Sequence, residues 1–182
     1  DTDGFLAKLG SNDSSLSFST FLGGNGAEYI QYRLCLDQEG NAYLTGRTES
    51  SNFPVSSDAY QKSYAEQAGG DRLEGDALVA KLNGDGSNLL YSSYLGGSYN
   101  DSGEAIQLDA GGNIVLTGIT AAADFPITPG AYQTTHGGIG SEFGWDIFVT
   151  RFLRDPDDVA PSTEEHLPAQ GETNVPLDTN IV

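Results

Sequence analysis

Oxygen-bearing side chains are the most concentrated chemical resource in this sequence. Asn83-Gly-Asp85-Gly-Ser87, Asn100-Asp101-Ser102-Gly-Glu104 and the trio Asp155, Asp157 and Asp158 each place several hard oxygens within a few residues. Calcium takes about 6–8 such oxygens, from carboxylates, amides and carbonyls. None of these segments fits the twelve-residue calcium loop, and Asp and Asn are also ordinary turn formers. Both readings stand at this level. A Ca2+ ion is best placed at Asp155, Asp157 and Asp158, where it would stiffen a joint and relieve local repulsion. Asp85, Asp101 and Glu104 are the further candidate ligands. Asp37 and Asp109 stand at matching positions ahead of Gly-Asn and read as turn residues that bond their own backbone.

Nothing assembles a catalytic set. Cys35 is the only cysteine and lies in a strand-like segment without a flanking His, so it reads as a buried thiol. His136 lies in a Gly-rich loop and His166 in a Pro-rich stretch, without the i, i+4 spacing of a zinc helix. Both read as exposed loop residues. There is no G-x-S-x-G elbow and no S-x-x-K. No enzymatic activity is therefore expected. Trp145 could stack on a sugar ring or plug an interface between sheets. Tyr64 and Tyr99 join it as candidates for a glycan- or protein-binding surface.

The scaffold that must carry these residues is acidic and rich in glycine. In 182 residues there are 26 Asp plus Glu against 8 Lys plus Arg, a net charge of −18, with 24 Gly and no Met. Such a charge repels a phosphate backbone, so nucleic acid is excluded as a partner. No run approaches the ~18 apolar residues of a membrane helix. Acidity with little Lys suits a secreted or cell-surface protein. With no Met at position 1 and no leader segment, the chain is expected to be a processed form or a piece of something longer.

The positioning elements are repeated. Asp3-Gly-Phe-Leu-Ala-Lys-Leu9 returns 73 residues on as Asp76-Ala-Leu-Val-Ala-Lys-Leu82, and Phe18-Ser-Thr-Phe-Leu-Gly-Gly24 as Tyr91-Ser-Ser-Tyr-Leu-Gly-Gly97. Asp37-Gln-Glu-Gly-Asn-Ala-Tyr-Leu-Thr-Gly46 returns 72 on as Asp109-Ala-Gly-Gly-Asn-Ile-Val-Leu-Thr-Gly118, as does Phe53-Pro-Val with Ala59-Tyr-Gln61 in Phe125-Pro-Ile with Ala131-Tyr-Gln133. A third copy starts at Asp146-Ile-Phe-Val-Thr-Arg-Phe152 and then fails. Each copy reads as two hairpins. Strands are predicted at 76–82, 89–95, 104–109 and 114–120, divided by Gly/Asn turns. The last has no clean alternation and is expected to be buried on both faces. Pro126 and Pro129 exclude a central strand from the longer connection. The reading is all-β: tandem four-stranded antiparallel propeller-type blades, two plus one strand.

These blocks resemble the β-propeller repeat of bacterial and archaeal surface proteins, often called the seven-bladed β-propeller repeat. The resemblance spans residues 1–154, with copy one at 3–75, copy two at 76–145 and a third from 146. It implies tandem blades in large surface proteins and brings no catalytic motif. Residues 155–166 are a Pro- and Asp-rich linker. Residues 167–182, with Pro-Ala-Gln-Gly-Glu-Thr-Asn-Val-Pro, resemble the opening of a bacterial immunoglobulin-like domain, too short to fold alone.

The expected function is non-catalytic: adhesion, surface coating or filament assembly by blade or strand complementation, with partners in other copies or in neighbouring domains. The alternatives are a glycan- or protein-binding propeller, and a non-catalytic piece of a larger secreted enzyme. A residue kept in both copies is taken to serve the blade, so site residues are sought where the copies differ: Arg33, Cys35, Arg47, His136, Trp145 and the insert 65–75.

Overall fold

The computed structural model describes residues 2–11, 15–30, 34–65, 75–138 and 144–153. The linker 155–166, the immunoglobulin-like segment 167–182, Arg33, His166 and most of the insert 65–75 lie outside them. The described residues contain ten strands and no helix. They are β1 (Gly4–Leu9), β2 (Leu16–Leu22), β3 (Glu28–Tyr29), β4 (Leu34–Leu36), β5 (Ala42–Thr48), β6 (Asp76–Leu82), β7 (Leu89–Leu95), β8 (Asp101–Leu108), β9 (Ile114–Thr120) and β10 (Asp146–Phe152). The strands expected at 76–82, 89–95 and 114–120 form with those limits, and the one expected at 104–109 runs from Asp101 to Leu108.

Turn chemistry sets the hairpins. The Asp37 carboxylate accepts from the Asn41 backbone at 2.8 Å and its amide at 2.8 Å, and Asp109 accepts from Asn113 at 2.9 Å in the same way. Gly40 and Gly112 follow with φ of 80°, a left-handed value that glycine adopts without penalty. Lys81 and Arg151, from the strand beside each turn, lie 3.8 and 2.6 Å from Asp37 and Asp109. One acidic turn and one cation therefore tie each copy to the strand that opens the next.

The sheets do not coincide with the sequence repeat. The first sheet is β1-β2, and the third is β8-β9-β10. The middle sheet runs β3-β5-β6-β7, with β4 also paired to β5. β3 and β4 together match β8, so they are one interrupted strand. All pairs are antiparallel. The middle sheet takes β3, β4 and β5 from copy one and β6 and β7 from copy two. The third sheet likewise takes β8 and β9 from copy two and β10 from the third copy. The repeat unit read from sequence is thus a staggered blade.

Two apolar layers hold the sheets face to face. Leu6 and Leu22 of the first sheet meet Leu44, Leu78, Tyr94 and Phe53. The opposite face of the middle sheet, with Val79, Tyr91 and Leu95, meets Leu116, Phe148 and Phe152. Each fully buried large side chain contributes about 1.5–3 kcal/mol. Covered on both faces, β6 is buried along its whole length. The expectation of two buried faces for 114–120 holds only on one: β9 alternates buried and half-buried residues, because no described element packs on its far side. The outer faces stay open. Phe5 and Phe21 on the first sheet are 72% and 80% exposed, and Ile147 and Val149 on β10 are 80% and 71% exposed.

Candidate docking groove beside the third sheet

The Phe-Pro connections position the polar groups of the fold. In the first one, residues 53–61 lie along β7. Ser56 N–H donates to Ser92 O at 3.0 Å, Ser92 N–H donates to Ser56 Oγ at 3.1 Å, and Tyr94 N–H donates to Gln61 O at 3.2 Å. Gln61 is the hub. Its backbone N–H donates to Ser93 Oγ at 2.9 Å. Its amide Nε2 donates to Asp76 Oδ2 at 2.9 Å, and its Oε1 accepts from Gly96 N–H at 2.9 Å. The Tyr94 hydroxyl inserts between the connection's own groups, accepting from Phe53 N–H and donating to Ser50 O, both at 2.8 Å. The Tyr94 ring meets Phe53 and Tyr64 edge-on.

The second connection, residues 125–133, has the same shape without the strand. Gln133 Nε2 donates to Asp146 Oδ2 at 3.0 Å, and Gly137 N–H donates to that oxygen at 2.7 Å. Ala131 N–H donates to Thr128 O at 3.2 Å, as Ala59 donates to Ser56 O at 3.1 Å. Phe125 stacks on Phe148 with centroids 4.5 Å apart. Phe125 N–H now donates directly to Ala122 O at 3.3 Å, where the first connection holds a tyrosine hydroxyl between the equivalent groups. Among the described residues β10 pairs only with β9, and nothing lies where β7 lies on β6. The result is a groove of about 690 Å³ between the connection and β10, lined by Phe125, Ile127, Thr128, Gln133, Phe148 and Phe152 among others.

A second feature is the carboxylate pair at the Leu-Gly-Gly bend. Asp76 and Asp101 are fully buried, and each leaves Oδ1 without a hydrogen bond. Burial, with further push from neighbouring carboxylates, raises both to about 7. Asp124 beside them stays below its usual range: its partial burial is outweighed by bonds from Ser98.

The residues singled out from sequence are scattered. Trp145 is 42% exposed just ahead of β10 and Tyr99 is exposed in the β7–β8 turn, while Tyr64 packs on Tyr94. None of the three lines the groove. Asp85 accepts from Ser87 in the exposed β6–β7 turn, Glu104 accepts from Ser102 at 2.8 Å, and Asp101 belongs to the buried pair. Among the described residues no three His, Cys, Asp or Glu side chains are grouped to hold a metal. Asp155, Asp157 and Asp158 lie outside the described residues. Cys35 is half-buried against the second apolar layer, and burial raises its thiol. His136 is not the free loop residue expected. It is part-buried, with Nε2 3.1 Å from Thr120 O and Nδ1 accepting from Gly138 N–H. Arg47 lies over the Tyr29 ring and pairs with Glu49 at 2.8 Å.

Gln133 and Asp146 recur in the repeat, and recurrence reads as a mark of scaffold, so the sequence alone does not single them out as site residues. The available signal is that the third copy keeps the Asp146 strand and then departs from the pattern that supplies the covering strand.

Residues 18–54 match the family described as Beta-propeller repeat, a span from β2 through β5 to the start of the first connection. No curated protein matches the chain. The matched repeat and the stacked antiparallel sheets agree on propeller-type blades.

Proposed function

We propose that this chain is a non-catalytic propeller module of a secreted or cell-surface protein, acting in adhesion, surface coating or filament assembly. The carrying observation is the pair of uncovered apolar faces, Phe5 with Phe21 on the first sheet and Ile147 with Val149 on the third. In the interior, faces of these two kinds meet each other. Apolar faces of this size on opposite ends of one unit favour head-to-tail stacking of blades. The high acidity of the remaining surface fits an extracellular setting and keeps unstacked units apart.

Electron microscopy of the native, undigested material tests the proposal. Regular filaments or sheets with a repeat near one unit are the expected result. Monodisperse single particles would overturn the assembly role and shift attention to ligand binding. The exposure of Trp145 favours that second reading, in which the module binds glycans or proteins. Glycan-array binding that is lost in Trp145→Ala would select it.

A further inference from the structure

We infer that the groove between β10 and the Phe125–Gln133 connection is a docking site for one extended strand of the sequence class aromatic-Ser-Ser/Thr-aromatic-Leu-Gly-Gly, donated by another chain that bears this repeat. The inference rests on the reading of the chain as a blade module, and not on its surface location or on filament formation.

The occupant is identified by the filled copy of the same groove. There β7 lies between β6 and the first connection, and the bonds it makes with that connection have waiting counterparts beside β10. Ser56, which exchanges two bonds with Ser92, is replaced by Thr128, whose hydroxyl can do the same. Gln61, which receives Tyr94 N–H and Gly96 N–H, is replaced by Gln133, already held by Asp146 as Gln61 is held by Asp76. Val55 is half-buried in its apolar layer, whereas Ile127 is 53% exposed. The Phe125 N–H to Ala122 O contact, at 3.3 Å, is long enough for an incoming tyrosine hydroxyl to replace it with two bonds of the 2.8 Å kind seen at Tyr94. The site is therefore preformed in backbone and polar groups, and β10 offers an edge that no described residue pairs. Strand addition of this kind takes affinity from the main-chain ladder and specificity from alternate side chains. The two aromatics and the Gly-Gly bend are the specificity elements: one aromatic enters beside Phe125, and the glycines let the chain turn over the Gln133 amide.

The test uses a labelled peptide of residues 88–97, Asn-Leu-Leu-Tyr-Ser-Ser-Tyr-Leu-Gly-Gly, titrated into the full chain by fluorescence anisotropy. Saturable binding is expected, absent for a scrambled peptide. Replacing the second peptide tyrosine by Phe should weaken it about fivefold to tenfold, the worth of one buried hydrogen bond. Gln133→Ala in the chain should weaken it to a similar degree, and that exposed position leaves the fold intact. A photo-reactive residue at the second tyrosine should cross-link to the 125–133 segment. No binding, binding indifferent to Gln133→Ala, or cross-links to Phe53 or Tyr64, which would mean exchange with β7, would each overturn the inference. Self-association of the chain that the peptide disperses would support it, with a second copy as the donor. Peptide binding without filaments in the microscope would remove the assembly role and leave the docking site standing.

Discussion

The Gln61 side chain donates to Asp76 Oδ2 at 2.9 Å while its carbonyl oxygen accepts from Gly96 N–H at 2.9 Å, so one amide clasps the start of β6 to the end of β7. Gln133 and Asp146 repeat the first bond at 3.0 Å without the second. Gln61→Ala should cost about 2–3 kcal/mol, since each hydrogen bond is worth about 1 kcal/mol net and Asp76 loses a donor in a buried setting. Gln133→Ala, at an exposed position, should cost less than about 1 kcal/mol. Urea unfolding of the two variants checks the difference. Equal losses would show that the clasp does not hold the strands.

Acid should stabilise the chain over a defined range. Burial raises Asp76 and Asp101 to about 7, against about 3.9 in an unfolded chain. The folded state thus binds these protons more tightly. Their contribution is complete below about pH 4 and is lost as pH rises to about 7, with a slope of up to about 1.4 kcal/mol per pH unit for each proton. Asp109 works oppositely: burial pushes it up, but bonds from Asn113 and Arg151 outweigh this and hold it below its usual range, so its contribution fades only in stronger acid. Unfolding free energy should therefore be larger at pH 5 than at pH 8. Asp101→Asn, which keeps an acceptor for Gly97 N–H, should flatten the profile. A higher stability at pH 8 would refute the burial account of this pair.

Tyr94→Phe removes a hydroxyl bonded at both sides, yet Phe53 N–H and Ser50 O can then bond directly, as Phe125 and Ala122 do. The expected loss is about 1 kcal/mol. Tyr94→Ala, which also empties a fully buried ring site, should cost about 3–5 kcal/mol. Guanidinium titration separates the two, and a similar loss for both would place the energy in the hydroxyl instead.

The recurring glycine of Leu-Thr-Gly is a contact residue. A Cβ on Gly46 would meet the carbonyl of Tyr29, and one on Gly118 the carbonyl of Ser102, because the backbone of the paired strand lies close against each. Gly46→Ala and Gly118→Ala should each cost about 1–3 kcal/mol or more through forced strand separation. Thermal melts showing either variant as stable as the parent would refute this account.

Strand limits were legible because turn residues punctuate them: Asn83 to Ser87 and Gly111 to Asn113 mark two hairpins that form as expected. Sheet composition was not. Sequence period tells where a pattern returns, whereas pairing depends on which edge a long connection delivers its strand to. Tyr29 and Leu34, too short as runs to register, pair with β5 and complete the middle sheet. The docking groove stayed hidden for a related reason. Gln133 looks identical to Gln61 in sequence, and the difference lies in what covers it. Asp76 gave no sign of its raised pKa, since burial of a carboxylate at a Gly-Gly bend is a property of three dimensions.

The stagger of the sheets has a mechanical meaning. The middle and third sheets are each stitched from two successive copies, like roof tiles that overlap by half, so the cuts between copies fall within sheets. Tension along the chain would have to shear two hairpins past each other before any one tile lifted. Lengthening the array by a whole period would leave every overlap intact, whereas half a period would strand an edge. The overlap thus makes the array both tough to peel and easy to extend.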